Sequence, residues 1–330
     1  MLRRTVIAGG VISAMAGRAS DAMTLRSDVM CELSDAPMQG APAAVPNTVT
    51  GSAPGSAVGL ARGALFPPVE LYNSDPTAIS PDGNWIAVAP ERRVEIWDVR
   101  AQTKLEAALR SVGTDSTFAF SPDSRFLAIG SFRTCRVLDL AHGRILWSVR
   151  NERLWWDVQA LAYSADGSLL AAVGEGLVAL LDSGSGRILH QLSGLDEYAS
   201  ACAFSQGLIV AGPGERGEIV LWDTASLTEV RRSTDKTGGR WSSLSLDHQH
   251  IVSAHRGHLG IRTFPALDLV RRIAVVFDTY DACLVGADRS VVWVQQYTTS
   301  LAQLYDWRSG EKIAEVEVGE AYHNRPSAFP

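Results

Sequence analysis

A turn-and-strand pattern recurs through most of this chain with a period near forty residues. The stretch "AISPDGNWIAVAPERRVEIWDV" (78–99) holds a Ser-Pro-Asp-Gly turn, an apolar run, a charged turn and then Ile-Trp-Asp. Variants start at Phe118 (FAFSPDSRFLAIGSFRTCRVLDL), Leu161 (LAYSADGSLLAAVGEGLVALLD) and Cys202 (CAFSQGLIVAGPGERGEIVLWD). Two weaker copies occupy 244–264 and 283–306. Two landmarks fix the register. Trp97, Leu138, Leu181, Trp222, Phe264 and Tyr305 follow one another at 41, 43, 41, 42 and 41 residues. The apolar residue before each turn, at Ile79, Phe120, Tyr163, Phe204, Leu246 and Val285, steps by 41, 43, 41, 42 and 39.

A repeat of this length with four short strands per copy predicts an all-β chain folded as a β-propeller. In the first copy the inner strand is 76–80, and Pro81 and Gly83 supply the restricted angles of the turn. The second strand is 85–89, the third 93–99 and the outer one 104–110. The apolar runs fit sheets covered on both faces by neighbouring blades. Six complete blades span about 76–318. A partial seventh, closing the ring, is expected from the termini: "GALFPPV" (63–69) as an outer strand, and Phe329 in "RPSAFP" as the start of an inner one.

The Ser-Pro-Asp-Gly turns and the endings Trp97-Asp98 and Trp222-Asp223, with Leu138-Asp139, Leu181-Asp182 and Tyr305-Asp306 as variants, resemble the WD-repeat family. The resemblance covers about residues 64–330 and implies the same propeller fold. It is to a degenerate, bacterial-type member. The family's Gly-His before the inner strand is missing from every copy, as is its Asp between the second and third strands. The family's His–Ser–Trp–Asp hydrogen-bond network is therefore not expected.

Ahead of the repeats lie two other textures. Residues 1–22 begin "MLRRTVIAGGVISAMAG", two Arg before a weakly apolar, Gly-rich run and small-residue cleavage patterns, the layout of an export leader. Arg3-Arg4 resembles the leaders of the twin-arginine pathway. Two locations stay open, exported through such a leader or cytoplasmic. Residues 23–63, rich in Ala, Pro and Gly, read as a linker. The chain is also readable as a fragment of a larger multidomain signalling protein.

Chemistry is sparse. A net charge of −6 argues against a nucleic-acid binder, which would show a basic stripe. No apolar run is long enough to span a bilayer, so no membrane insertion is expected. Cys31, Cys135, Cys202 and Cys283 are far apart, which predicts neither structural zinc nor a disulfide framework. No nucleophile elbow, phosphate-binding loop or zincin motif occurs. Asp82, Asp123 and Asp166 repeat with the period and read as turn acids. The cluster His248, His250, His255 and His258 splits between turns at opposite ends of one strand, so no single metal site is expected there and the imidazoles read as solvated, with a two-His site at His255 and His258 as the alternative. No catalytic residue and no cofactor are assigned.

What remains is surface. The loops that join outer to inner strands, and second to third strands, carry aromatic and Arg residues of the kind that anchor interfaces. The candidate partner-binding residues are Trp155, Trp156, Trp241, Tyr280, Arg133 and Arg256. These point to a non-enzymatic scaffold, a monomeric propeller binding a protein or peptide. The alternative is a propeller enzyme or cofactor protein, lactonase-like or quinone-dependent. That would need acids or stacking groups along the inner strands, where small apolar residues stand instead.

Overall fold

The structure is a computed structural model and describes residues 77–89, 93–105, 117–150, 158–195, 199, 201–212, 217–233, 244–246, 249–278, 281–285, 290–295 and 301–317. Every regular element among them is a strand, and they form six antiparallel sheets in chain order. The first is β1 (Thr77–Ile79), β2 (Trp85–Val88), β3 (Glu95–Asp98) and β4 (Thr103–Lys104). The second is β5 (Thr117–Phe120), β6 (Phe126–Ser131), β7 (Thr134–Asp139) and β8 (Arg144–Arg150). The third is β9 (Ala160–Tyr163), β10 (Leu169–Gly174), β11 (Leu177–Asp182) and β12 (Ile188–Ser193). The fourth is β13 (Cys202–Ser205), β14 (Leu208–Ala211), β15 (Ile219–Asp223) and β16 (Glu229–Ser233). The fifth is β17 (Leu244–Leu246), β18 (His250–Thr263) and β19 (Leu269–Asp278). The sixth is β20 (Asp281–Val285), β21 (Val291–Gln295), β22 (Leu301–Asp306) and β23 (Lys312–Glu317). The predicted strands of the first copy are recovered within a residue or two, except that its outer strand is described only at β4. The stretches read as a leader, linker and seventh blade lie outside the described residues.

The fifth sheet has three strands by count but four extended arms. Gly257 sits at φ +76 in the middle of β18. Phe264 N–H donates to the Gln249 carbonyl at 2.7 Å, and Ser253 Oγ to the Gly260 carbonyl at 3.3 Å. The strand therefore doubles back on itself, and its arms stand where the second and third strands stand elsewhere.

Two turns are built the same way again and again. Between first and second strands, Ser80, Ser121 and Ser164 each donate Oγ–H to an Asp two residues on at 2.6 Å. Each same Oγ accepts the N–H five residues on at 2.9 Å. After the third strand, Asp98, Asp139, Asp182, Asp223 and Asp306 accept backbone N–H groups two or three residues ahead. Four residues past each Asp, and past Thr263 in the fifth sheet, φ is positive: Gln102, Gly143, Gly186, Leu227, Leu267 and Gly310. The Asp of the repeat signature is a turn cap, a task it performs without the missing His.

The second to fifth sheets are each covered on both faces by their neighbours. One cluster packs Ala78, Ala87 and Ala89 of the first sheet against Phe118, Phe120, Leu127 and Ile129 of the second. The opposite face of the second sheet, with Ala119, Ala128 and Val137, meets Leu161, Leu170 and Leu181 of the third. Further clusters join third to fourth, fourth to fifth and fifth to sixth. The first strands lie nearest one another: β1 beside β5, β5 beside β9, β9 beside β13 and β17 beside β20. This explains the apolar runs. Alternate side chains of one strand are buried against two different neighbours, so no polar alternation survives.

Candidate interaction surface

The turns sort to two ends. The turns between first and second strands of the first three sheets share one. Asp82 N–H donates to Ser124 Oγ at 3.1 Å, and Pro122 lies 3.6 Å from where a Cβ on Gly167 would be. The turns between second and third strands of those sheets therefore share the other end, where the sequence places the loops with Arg and aromatic residues.

Arg133 is at that end, in the turn between β6 and β7, at φ +54. Its guanidinium carbon lies 4.7 Å from the centroid of the Phe132 ring, which is 41% exposed. A cation over a solvent-facing ring presents charge and apolar area together. Arg93, in the corresponding turn of the first sheet, is exposed. Phe132 was not picked out by the sequence reading, since its type and position resemble core phenylalanines nearby. Trp155, Trp156, Trp241 and Tyr280 lie outside the described residues. Of Arg256 only the backbone is described, paired with Asp278 in the fifth sheet. The signature residues are placed as structure: Trp97, Trp222 and Tyr305 are buried and the aspartates cap turns.

The reading of the histidines as solvated is corrected. His255 is fully buried and His258 7% exposed, and their rings stack with centroids 4.9 Å apart and 12° between planes. His255 Nε2 hydrogen-bonds Ser253 Oγ at 2.7 Å. The tight fold-back at Gly257 brings the two rings together, and both are buried. From the sequence alone, a turn looked like solvent. His250 instead lies against Trp307, with ring centroids 4.4 Å apart. His248 lies outside the described residues.

The electrostatics are those of turns and ties. Hydrogen bonds from Ser164 and Ser168 hold Asp166 below the usual carboxylate range, and those from Ser185 do the same for Asp182. Burial pushes Asp82 upward, but bonds from Ser80, Asn84 and Ser124 together outweigh it. Arg232 ties sheets together. Its guanidinium donates to the Gly194 carbonyl at 2.7 Å, to Glu218 at 2.9 Å and to Glu229 at 2.6 Å. Burial pushes the Cys135 thiol up to about 12. Among the described residues no three His, Cys, Asp or Glu side chains gather as metal ligands, and no helix is long and apolar enough to cross a membrane.

A scan of family models finds no match to this chain, and a search of curated proteins finds none.

Proposed function

We propose that the six sheets are blades of a WD-like β-propeller, and that the chain is a non-enzymatic scaffold that holds a protein or peptide on the end bearing the turns between second and third strands. The observation that carries this reading is the serial packing. Each of the second to fifth sheets gives one face to its predecessor and the other to its successor, and first strands lie beside first strands. Burial at both ends of the series supports closure into a ring. Ile86 and Val88 face away from the second sheet and Trp293 faces away from the fifth, yet all three are buried. The stacked Arg133–Phe132 pair supplies an anchor at the binding end. Fold alone leaves function open, and the scaffold assignment rests on that end's chemistry.

The test is partner capture from the native organism, followed by affinity and stability measurements on Ala variants of Phe132, Arg133, Trp155, Trp156, Trp241, Tyr280 and Arg256. A true anchor loses ~2 kcal/mol, roughly thirtyfold in affinity, with an unchanged melting curve. If every variant either unfolds or binds as before, the partner docks elsewhere and the reading fails.

A further inference from the structure

The outer strands share a feature that the period predicts nowhere. In five sheets the ladder between third and fourth strands skips one residue of the fourth: Leu146, Leu189, Val230, Val270 and Ile313. Each sits seven residues past the end of the third strand. A bulge turns such a side chain out of the ladder, and Leu146, Val230, Val270 and Ile313 are accordingly exposed. The residue after each bulge returns to register. Trp147, His190, Arg231, Arg271 and Ala314 stand opposite Val137, Leu180, Leu221, Ile261 and Leu304. Opposite residues share a face of the sheet. Val137, Leu180, Leu221 and Ile261 pack on the following sheet, so the residue after the bulge faces that sheet too.

What it meets there is the positive-φ residue of the next sheet's last turn, and the two follow a rule of size. Where the turn carries Gly, the outer strand fills the space. A Cβ on Gly186 would lie 2.5 Å from the Trp147 ring, and Trp147 Nε1–H donates to the Ser183 carbonyl of the same turn at 2.7 Å. A Cβ on Gly310 would lie 3.1 Å from Arg271 Nη1, which donates to the Ser309 carbonyl at 3.1 Å. Where the turn carries Leu, it fills the space itself. Leu227 packs into the junction of third and fourth sheets and Leu267 into that of fourth and fifth, while His190 and Arg231 stand at exposed positions. Each of these four junctions takes one large group, from one side or the other.

The sixth sheet presents Ala314, small and half-buried, on its open face, in one row with Leu304 and Trp293. The first sheet presents Gln102 at φ +55 in its last turn. A small outer residue suits a turn that brings its own side chain, the Leu form of the rule. The signature position points the same way. Leu138, Leu181, Trp222, Phe264 and Tyr305 each pack on the sheet before their own. Trp97 holds that position in the first sheet and is buried, although no sheet precedes it among the described residues. We propose that the sheet it packs on is the sixth. The ring then closes with six blades, Trp97 against the face that carries Trp293 and Gln102 over Ala314. This rests on the propeller reading above, and in it no seventh unit stands between the ends of the series.

The experiment is a double-mutant cycle at the seam in the full chain. Ala314→Trp sets a large side chain against Gln102 and should lower stability. Gln102→Gly should restore it in the Ala314→Trp background, recreating the Trp147–Gly186 pair, with a coupling of roughly tenfold in the unfolding equilibrium constant. Effects that add to within about twofold mean that the two residues are not neighbours, and overturn the proposal. Gln102→Cys/Ala314→Cys gives a second readout that does not depend on stability. In dilute protein treated with a short bismaleimide, peptide mapping should find the two positions linked within one chain, as in an Arg231→Cys/Leu267→Cys comparison. A link formed between chains, or none where the comparison pair links, overturns the proposal equally. Calorimetry separates this failure from that of the propeller reading. One unfolding transition without seam coupling means a ring closed by another unit, whereas separable transitions mean no ring at all.

Discussion

Asp98, Asp139, Asp182, Asp223 and Asp306 do one task in five sheets, accepting the N–H groups of the turn that follows. Asp139, Asp182 and Asp223 among them, together with Asp82 and Asp166, make the fold acid-sensitive in a defined sense. Hydrogen bonds hold Asp166, Asp182 and Asp223 below their ordinary value of 3.8. A carboxylate depressed in the folded state adds stability above its unfolded pKa and surrenders it as pH falls through the folded one. Denaturation midpoints should therefore hold steady down to about pH 4 and then fall, which urea titrations at successive pH values will measure. Gly186 offers a sharper test. It sits at φ +73, and a Cβ there would lie 2.5 Å from the Trp147 ring, whose Nε1–H donates to the Ser183 carbonyl at 2.7 Å. Gly186→Ala should cost about 2–4 kcal/mol through strain and displacement of the indole. Gly83, at φ +70 with nothing within 4 Å, should cost only about 1 kcal/mol as Ala. Tyr163 stands where Phe120 and Phe204 stand in adjacent sheets. Its hydroxyl is buried without a hydrogen-bond partner among the described residues, and burial raises its pKa. Tyr163→Phe should leave thermal stability unchanged or raise it by up to about 1 kcal/mol.

At the scale of the element, each strand answers to two neighbours at once. Leu127 is fully buried and points toward the first sheet, whereas Ala128, also fully buried, points toward the third. Leu127→Ala should cost about 2–5 kcal/mol by leaving a cavity between the first two sheets. Ala128→Leu should cost about 1–3 kcal/mol by wedging the second and third apart. Equilibrium unfolding of both variants checks the pair. The apolar runs of β6, β10 and β14 made this two-sided burial legible, and the turn chemistry marked most of their ends. The bulges in the outer strands were not legible. A skipped residue has no signature in composition, because whether Val230 lies in or out of the ladder depends on how β15 twists beside it.

At the scale of the whole molecule, contacts run from sheet to sheet in chain order. An open series of this kind unfolds in steps, because each unit is held only by its nearest neighbours. A closed ring, as proposed here, leaves no end from which to fray. Calorimetry of the full chain should then show one transition, with calorimetric and van't Hoff enthalpies in agreement. A sequence of separable transitions would mean that the first and sixth sheets are not joined.

The period, the turn acids and the apolar runs settled on their own that this chain is a series of like antiparallel units, because all three are local: a turn needs its Ser and Asp within a few residues, and a strand buried on both faces needs only apolar neighbours in sequence. Three features depended on pieces far apart in the chain. The burial of His255 and His258 follows from how tightly β18 reverses. The tie made by Arg232 joins Gly194, Glu218 and Glu229 across two sheets. The outward turn of Val230, Val270 and Ile313 follows from a ladder register that only pairing can set. Each depends on which backbone lies beside which, and a one-dimensional pattern carries no measure of that.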